Sequence, residues 1–174
     1  MTFPSLTLVL GGANSGKTAF AEALVLAQPG RPVYLATAQA HDSEMRAKID
    51  RHRTLRGPHW DTVEAPMDID GAIRDLDPSV SILVDCATLW LTNHIVADGD
   101  AGQVSRALVQ TLSQAPQPIT VVSNEIGQGI VPENLMSRQF REAHGLLNQM
   151  LAARANLVIQ IVAGLPIVLK GRMP

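Results

Sequence analysis

The sequence is poor in several features that mark particular classes of protein. It has one cysteine, Cys86, which excludes an internal disulfide and predicts a reducing, cytoplasmic location. Aromatic residues make up 3% of the chain and charged residues 17%, and the formal net charge of −2 lacks the basic excess of nucleic-acid-binding proteins. No apolar run reaches the roughly 18–20 residues that cross a bilayer. We therefore predict no membrane span, no nucleic-acid partner and, since MTFPSLTLVLGG has no positive region, no signal peptide.

What the sequence does contain is an alternation of short apolar runs and helical stretches. Its 174 residues suit one domain with a single core, 1–174. Strands are predicted at 6–11, 32–37, 61–66, 81–86 and 118–124, with one or two more within 156–170. Helices are predicted at 17–28, 42–56, 101–114 and 133–154. This order is typical of an α/β fold, a mainly parallel sheet with helices on both faces.

The segment GGANSGKT, residues 11–18, satisfies the phosphate-binding pattern G-x-x-x-x-G-K-[ST] and has the required strand before it and helix after it. Glycines let backbone N–H groups surround an anion, and the first helical turn adds further donors. Lys17 would reach the β- and γ-phosphates, and the Thr18 hydroxyl would ligate Mg²⁺. A chance match in a glycine-rich turn is the alternative. The predicted nucleotide-binding residues here are Gly11, Gly12, Ala13, Asn14, Ser15, Gly16, Lys17 and Thr18.

One acidic residue stands where such folds place a second magnesium ligand. Asp85 ends the apolar run 81–86, at the carboxyl end of a predicted buried strand. We predict that Asp85 and Thr18 help to position Mg²⁺. The alternative is that Asp85 caps a helix that follows the strand.

The segment 42–56 carries a histidine in an unusual setting. Met45, Ile49 and His52 share one predicted helical face, and Lys48 and Arg56 flank the histidine at helical spacing. Neighbouring positive charges favour neutral imidazole, which is its nucleophilic form. On spacing alone, the simpler interpretation is a basic surface helix with an incidental histidine.

Longer segments resemble one enzyme family over about residues 6–170. They are GGANSGKT, YLATAQAHDSEM, KIDRHRTLRGPHW, TVEAP, LVDCATLWLTN and SNEIGQGIVPEN. They look like the bifunctional adenosylcobinamide kinase/adenosylcobinamide-phosphate guanylyltransferase family. The resemblance implies a homotrimer of RecA-like P-loop NTPase domains that uses Mg²⁺, ATP and GTP in vitamin B12 biosynthesis. Its corrinoid substrates would be adenosylcobinamide and adenosylcobinamide phosphate.

The resemblance also implies roles for particular residues. His52 matches the histidine that takes GMP covalently from GTP, while Glu64 would bind the guanosine and Asp85 would lie near the metal. Further nucleotide-site residues implied in the same way are Leu35, Ala36, Thr37, Arg53, Thr54, Leu55 and Arg56.

The phosphate loop departs from the family pattern Gly-Gly-Ala-Arg-Ser-Gly-Lys-Ser at two positions. Thr18 keeps the hydroxyl that Mg²⁺ needs, whereas Asn14 replaces a cationic arginine. We therefore expect weaker triphosphate affinity or a weaker kinase reaction, without loss of either.

Two other functions share the phosphate loop. A monofunctional small-molecule P-loop kinase would give His52 no role. The second alternative is a GTP- or ATP-binding switch module. A guanine-specific switch normally carries the base-reading motif Asn-Lys-x-Asp, whereas this chain has SNEIG at the end of the predicted strand 118–124. The remaining histidines lack the spacing of a structural zinc site. Trp60 and Trp90 are interpreted as core or interface residues. Two interpretations stay open for Glu125, Glu133 and Asn134: they face the corrinoid or a neighbouring subunit, or a helix is capped near 133.

Overall fold

The computed structural model of the chain describes residues 3–39, 46, 54 and 57–174. The strands are β1 (Leu6–Gly11), β2 (Pro32–Ala36), β3 (Asp61–Glu64), β4 (Ser81–Asp85), β5 (Ile119–Asn124), β6 (Leu157–Val162) and β7 (Leu165–Lys170). The helices are α1 (Lys17–Leu26), α2 (Ile69–Arg74), α3 (Ala87–Val96), α4 (Ala101–Gln114) and α5 (Leu135–Arg154). The helix predicted at 42–56 lies outside this part of the chain except for Arg46 and Thr54, which are helical.

The strands form one sheet in the order β3-β2-β4-β5-β1-β6-β7. All neighbouring pairs are parallel except β6 and β7, which form an antiparallel hairpin. Its turn contains Ala163 and Gly164 at φ 51° and 80°, the pair of positive angles that suits a two-residue hairpin loop. The predicted fold class, a mainly parallel sheet with helices on both faces, is confirmed.

Alternating side chains of the strands build a core on each face of the sheet. On one face, Val9 of β1 packs with Ala21 and Val25 of α1. On the other face, Leu8 packs in a larger cluster that includes Leu147 of α5 and residues of α2, α3 and α4. Within the ranges that the structure describes, no helix is long and apolar enough to cross a membrane.

The sequence-based prediction gives no bounds for two helices, α2 and α3. Helix α2 has six residues, too few to show a helical period, and α3 begins two residues after β4, so its apolar residues continue the apolar run of the strand. The predicted bounds 101–114 coincide with α4, and α1 ends at Leu26 rather than at 28.

Candidate functional site: a phosphate loop at the carboxyl edge of the sheet

The glycine loop joins the end of β1 to the start of α1, as the motif requires. Gly11 is the last residue of β1, and Gly16 is the N-cap of α1 at φ 92°. Asn14 also has a positive φ, 54°. Asparagine adopts this left-handed conformation more readily than most residues with a side chain. Asn14 therefore suits the left-handed backbone at its position in the loop.

Gly11 is required by packing rather than by its backbone angle. A Cβ atom built on Gly11 would lie 2.9 Å from the backbone oxygen of Ile161 and still closer to the Ser15 hydroxyl. A Cβ on Gly12 would have nothing within 4 Å. The first glycine of the motif thus lets the loop pack against β6, whereas the second faces open space.

The two side chains predicted to contact phosphate and metal, Lys17 and Thr18, directly follow Gly16 of the loop. The Lys17 ammonium donates a hydrogen bond to the Gly12 carbonyl at 3.0 Å, so the side chain folds back across the loop. Thr18 follows in the first turn of α1, and both residues are half-buried. A bound phosphate would replace the carbonyl as the partner of a lysine already in position.

The turn between β6 and β7 contacts the phosphate loop and supports it. The Gly164 N–H donates to the Ser15 carbonyl at 2.9 Å. A Cβ on Gly16 would lie 3.4 Å from the Gly164 Cα, so the two glycines lie close together. The hairpin turn is therefore part of the structure that fixes the phosphate loop.

The strand register brings the other predicted site residues to the same edge. Ala36 of β2 lies opposite Glu64 of β3 on one side and Asp85 of β4 on the other. Adjacent strands are about 4.8 Å apart, so Glu64 and Asp85 lie about 10 Å from each other. On the far side of β4, the end of β5 runs beside Gly11, and the Glu125 N–H donates to the Gly11 carbonyl at 2.9 Å.

Asp85 is held by a hydrogen bond from a neighbouring strand. The Tyr34 hydroxyl donates to Asp85 Oδ2 at 2.7 Å, and Tyr34 packs edge-to-face with Trp60. The alternative role for Asp85, a helix cap, is wrong. The cap of α3 is Cys86, whose sulfur accepts from the Leu89 N–H at 3.5 Å.

Cys86 is a buried structural residue. Burial, and secondarily the Asp85 charge, raises the pKa of its thiol to about 11, so it is no nucleophile near neutral pH. Trp60 and Trp90 are also buried, as predicted.

Leu35 and Thr37 occupy structural positions at the end of β2. The Leu35 side chain is buried in the larger core cluster. The Thr37 hydroxyl donates to the Cys86 carbonyl at 2.8 Å and accepts from the Cys86 N–H at 2.7 Å. Thr37 thus ties β2 to the start of α3, and any contact of Leu35 or Thr37 with a nucleotide would come from their backbone.

Several predicted site residues lie outside the described residues. They are His52, Arg53, Leu55 and Arg56, and their roles stay predictions. Thr54 is helical and exposed.

A buried polar network behind the site has no counterpart in the sequence analysis. His144 of α5 is fully buried, and its Nε2 lies 2.9 Å from the Thr88 hydroxyl and 3.2 Å from the Ser123 hydroxyl. Ser123 donates to Asn148 at 2.6 Å, so a hydrogen bond between Ser123 and the imidazole has to be donated by Nε2–H. The Asn148 amide in turn donates to the Asn124 carbonyl at 3.0 Å. The network therefore fixes the end of β5 against α3 and α5.

His144 is neutral in this setting. Burial lowers its pKa, and the Glu125 carboxylate opposes that effect in part. Its Nδ1 is buried and has no hydrogen-bond partner among the residues described. Protonation would place a charge in the core.

The segment after β5, residues 127–133, is held to α5 by two arginines, and we call it the arginine-held loop. Arg141 donates to the carbonyls of residues 127, 129 and 130, and Arg138 donates to the Pro132 carbonyl at 3.0 Å and the Glu133 carbonyl. Asn134 caps α5 by accepting from the Ser137 N–H at 3.2 Å. The cap predicted near 133 therefore belongs to Asn134.

The residues at this edge fit a magnesium ion that is completed by substrate phosphates. Mg²⁺ favours oxygen ligands and usually takes only one or two from protein carboxylates. The Thr18 hydroxyl and the Asp85 carboxylate offer oxygen atoms of this kind and stay the predicted ligands. Within the described ranges no group of three or more His, Cys, Asp or Glu side chains could hold a metal by itself.

Comparison with known proteins identifies the family. Residues 7–169 match the family model described as cobinamide kinase / cobinamide phosphate guanyltransferase. The chain belongs to this family. The family predicted from the sequence is thus confirmed, and with it an enzyme that carries out transfer reactions in cobalamin biosynthesis.

Individual relatives agree over nearly the whole chain. The bifunctional adenosylcobalamin biosynthesis protein CobP of Pseudomonas aeruginosa is 44% identical over 169 residues, which are 94% of this chain and 96% of the relative. The protein CobU of Escherichia coli, with the same description, is 39% identical over 181 residues, covering 95% and 99%. A solved structure from Pyrococcus horikoshii OT3 shares the fold alone, at 10% identity and a TM-score of 0.58, covering 99% of this chain and 89% of that one.

Proposed function

We propose that this enzyme uses one triphosphate site for two successive transfers. In the first, the terminal hydroxyl of the aminopropanol arm of adenosylcobinamide attacks the γ-phosphorus of ATP or GTP. The new O–P bond forms as the bond to the β-phosphate oxygen breaks, the hydroxyl proton is released, and the nucleoside diphosphate leaves. The protein mainly positions the reactants and offsets negative charge, which Lys17 does directly.

In the second transfer, His52 acts as a nucleophile toward GTP. A ring nitrogen bonds to the α-phosphorus, and pyrophosphate leaves from the phosphate loop. A phosphate oxygen of adenosylcobinamide phosphate then displaces the imidazole, so that adenosylcobinamide-GDP forms and the histidine is regenerated. This route lets two large substrates use the site in turn.

The observation that supports a shared site is the row of residues along the carboxyl edge of the sheet. The phosphate loop, Asp85 and Glu64 follow one another across this edge, with β5 between β1 and β4. A nucleotide whose phosphates lie on Gly11–Thr18 could extend toward Glu64, which is exposed. Thr18 and Asp85 would hold Mg²⁺, which would offset phosphate charge when bound.

Labelled GTP distinguishes this function from its two alternatives. With [α-³²P]GTP and Mg²⁺, the proposed enzyme retains label on the denatured protein, and with [γ-³²P]GTP it does not. A monofunctional kinase transfers γ-label to cobinamide only. A switch module releases γ-phosphate and modifies neither protein nor cobinamide, and either of these patterns would overturn the proposal.

We further propose a homotrimer, for which β7 is the best candidate surface. The apolar stretch LWLTNHIV, residues 89–96, is a poor candidate for this contact, because Trp90 and Leu91 are buried in the core of the subunit itself. The large apolar residues that remain exposed include four of β7, namely Leu165, Ile167, Val168 and Leu169. An edge strand with such residues is suited to contact with another copy.

The cellular setting follows from the substrates. We propose a cytoplasmic enzyme, because ATP and GTP are cytoplasmic and Cys86 is a free, buried thiol. A net charge of −2 gives no electrostatic basis for binding nucleic acid.

A further inference from the structure

An exposed apolar surface lies beside the phosphate loop and has no role in the chemistry described above. It consists of Ile130 and Val131 of the arginine-held loop and of Leu135 and Met136 in the first turn of α5. Ile130 is 96% exposed and the other three are at least 61% exposed. Four large apolar side chains so exposed within seven residues are typical of a binding surface.

The backbone of this segment is fixed, which distinguishes it from an ordinary surface loop. Five of its carbonyl groups accept hydrogen bonds from Arg138 and Arg141. Glu125 also accepts from the Gly127 N–H at 2.6 Å and so forms the turn that begins the segment. Its backbone polar groups are thus bound inward while its apolar side chains face solvent. A rigid apolar surface loses little conformational entropy when a ligand binds.

The position of this surface indicates which ligand it binds. The segment continues directly from β5, whose end pairs with Gly11, and the Glu125 N–H is bonded to the Gly11 carbonyl. The surface therefore begins within two residues of the phosphate loop, on the face of the sheet opposite α1. A phosphoryl acceptor must reach the phosphate loop, and this surface is joined to that loop through the bond between Glu125 and Gly11.

We infer that the arginine-held loop and the first turn of α5 form the corrinoid-binding surface, with Ile130 as its most exposed contact. This inference rests on the proposed function, because it takes adenosylcobinamide as the acceptor. A corrin is a broad ring that carries apolar methyl groups as well as amides, so it can cover several apolar side chains at once. Its hydroxyl-bearing arm then reaches over Asn124 and Glu125 toward the phosphate loop.

Equilibrium binding tests this without requiring catalysis. Adenosylcobinamide absorbs visible light, so its dissociation constant can be measured by ultrafiltration with the whole protein. We expect Ile130→Ser to weaken binding roughly tenfold or more, since an apolar contact of this size is lost, and Ile130→Leu to restore it. Val96→Ser is the matched control, because Val96 is 75% exposed at the far end of α3, and its binding should equal that of the unchanged protein.

The remaining outcomes separate the inference from the proposed function. If the unchanged protein binds adenosylcobinamide and Ile130→Ser binds it equally well, the inference alone is overturned. Light scattering on the same samples measures the oligomeric state. If Ile130→Ser dissociates the oligomer and the dissociated form keeps its corrinoid affinity, the surface is a contact between copies. The inference then fails. If the unchanged protein binds no adenosylcobinamide, the proposed function fails together with the inference.

Discussion

At the scale of single residues, the two proposed transfers depend on different side chains. Lys17→Ala should abolish both transfers, because the same ammonium offsets phosphate charge in each.

His52→Ala should abolish only labelling of the protein by [α-³²P]GTP, and phosphorylation of adenosylcobinamide should largely survive. In the unchanged protein the label should be lost in acid and survive alkali, as expected of a phosphoramidate. Acid-labile GMP on the His52→Ala protein would identify another acceptor.

The two glycines that open the phosphate loop should respond differently to the same substitution. Gly11→Ala places a methyl group against the Ile161 carbonyl and the Ser15 hydroxyl, and such overpacking typically costs about 1–3 kcal/mol of unfolding free energy. Gly12→Ala meets nothing within 4 Å and should change stability by less than about 0.5 kcal/mol. Urea unfolding without nucleotide measures both. Equal losses would contradict the close packing of Gly11 on β6.

The buried histidine should make stability depend on pH. Burial lowers the pKa of His144 in the folded protein, whereas in the unfolded chain it should lie near 6.5. The unfolded state therefore binds the proton first, and stability falls as the pH drops below about 6.5, until the folded-state pKa is reached.

Urea unfolding between pH 7.5 and 5.5 measures this loss. In His144→Gln the amide N–H₂ can replace the Nε2–H donor without titrating. The variant should lose less stability than the unchanged protein over the same pH range. An identical loss in both would assign the pH dependence to other groups.

At the scale of elements, the long helix α5 is stabilised at its end by the last strand. The Lys170 ammonium of β7 donates to the carbonyls of Ala152 and Ala153, both at 2.9 Å. These carbonyls belong to the last turn of α5, where a positive charge also interacts favourably with the helix dipole. The hairpin thus supports the helix that carries His144 and the arginine-held loop.

We expect Lys170→Met to destabilise the fold by about 0.3–1 kcal/mol, the range found for a cation at an exposed helix end. Lys170→Arg should retain most of the stability. Arg172→Met, two residues further along the chain, removes the same charge and should stay within about 0.5 kcal/mol of the unchanged protein. Thermal unfolding of the three variants provides the comparison, and equal effects of Lys170→Met and Arg172→Met would rule out a specific contact.

Elements were predictable where the signal is contiguous in the sequence. The inner strands β1, β2, β4, β5 and β6 read as short apolar runs because their residues are largely buried on both faces. The phosphate loop is one eight-residue motif. Helices α2 and α3 received no predicted bounds because one is short and the other continues an apolar run. The bonds that hold the site, such as Tyr34 to Asp85 and His144 to Thr88, join residues 51 and 56 positions apart. No spacing rule reveals them before the fold is known.

At the scale of the whole molecule, the subunits should associate through β7. Light scattering at micromolar concentration should give three times the chain mass of 18.7 kDa. Leu165 and Ile167 lie on one side of the strand, so Leu165→Lys together with Ile167→Lys should reduce the mass toward that of one chain. Val96→Lys is the control for added charge at an exposed apolar site and should leave the mass unchanged. A monomer mass for the unchanged protein would contradict the trimer, and a trimer that survives the β7 changes would place the contact elsewhere.

The hairpin turn at Gly164 gives association and nucleotide binding a common structural element. The Gly164 N–H of this turn donates to the Ser15 carbonyl of the phosphate loop, and the turn continues into β7. A contact that immobilises β7 therefore also restricts the phosphate loop. Coupling between two binding events is reciprocal: if association tightens GTP binding by some factor, GTP tightens association by the same factor. We therefore expect GTP affinity to rise with enzyme concentration through the range in which subunits assemble. The amount of enzyme in the cell would then help to set how readily each molecule takes up its substrate.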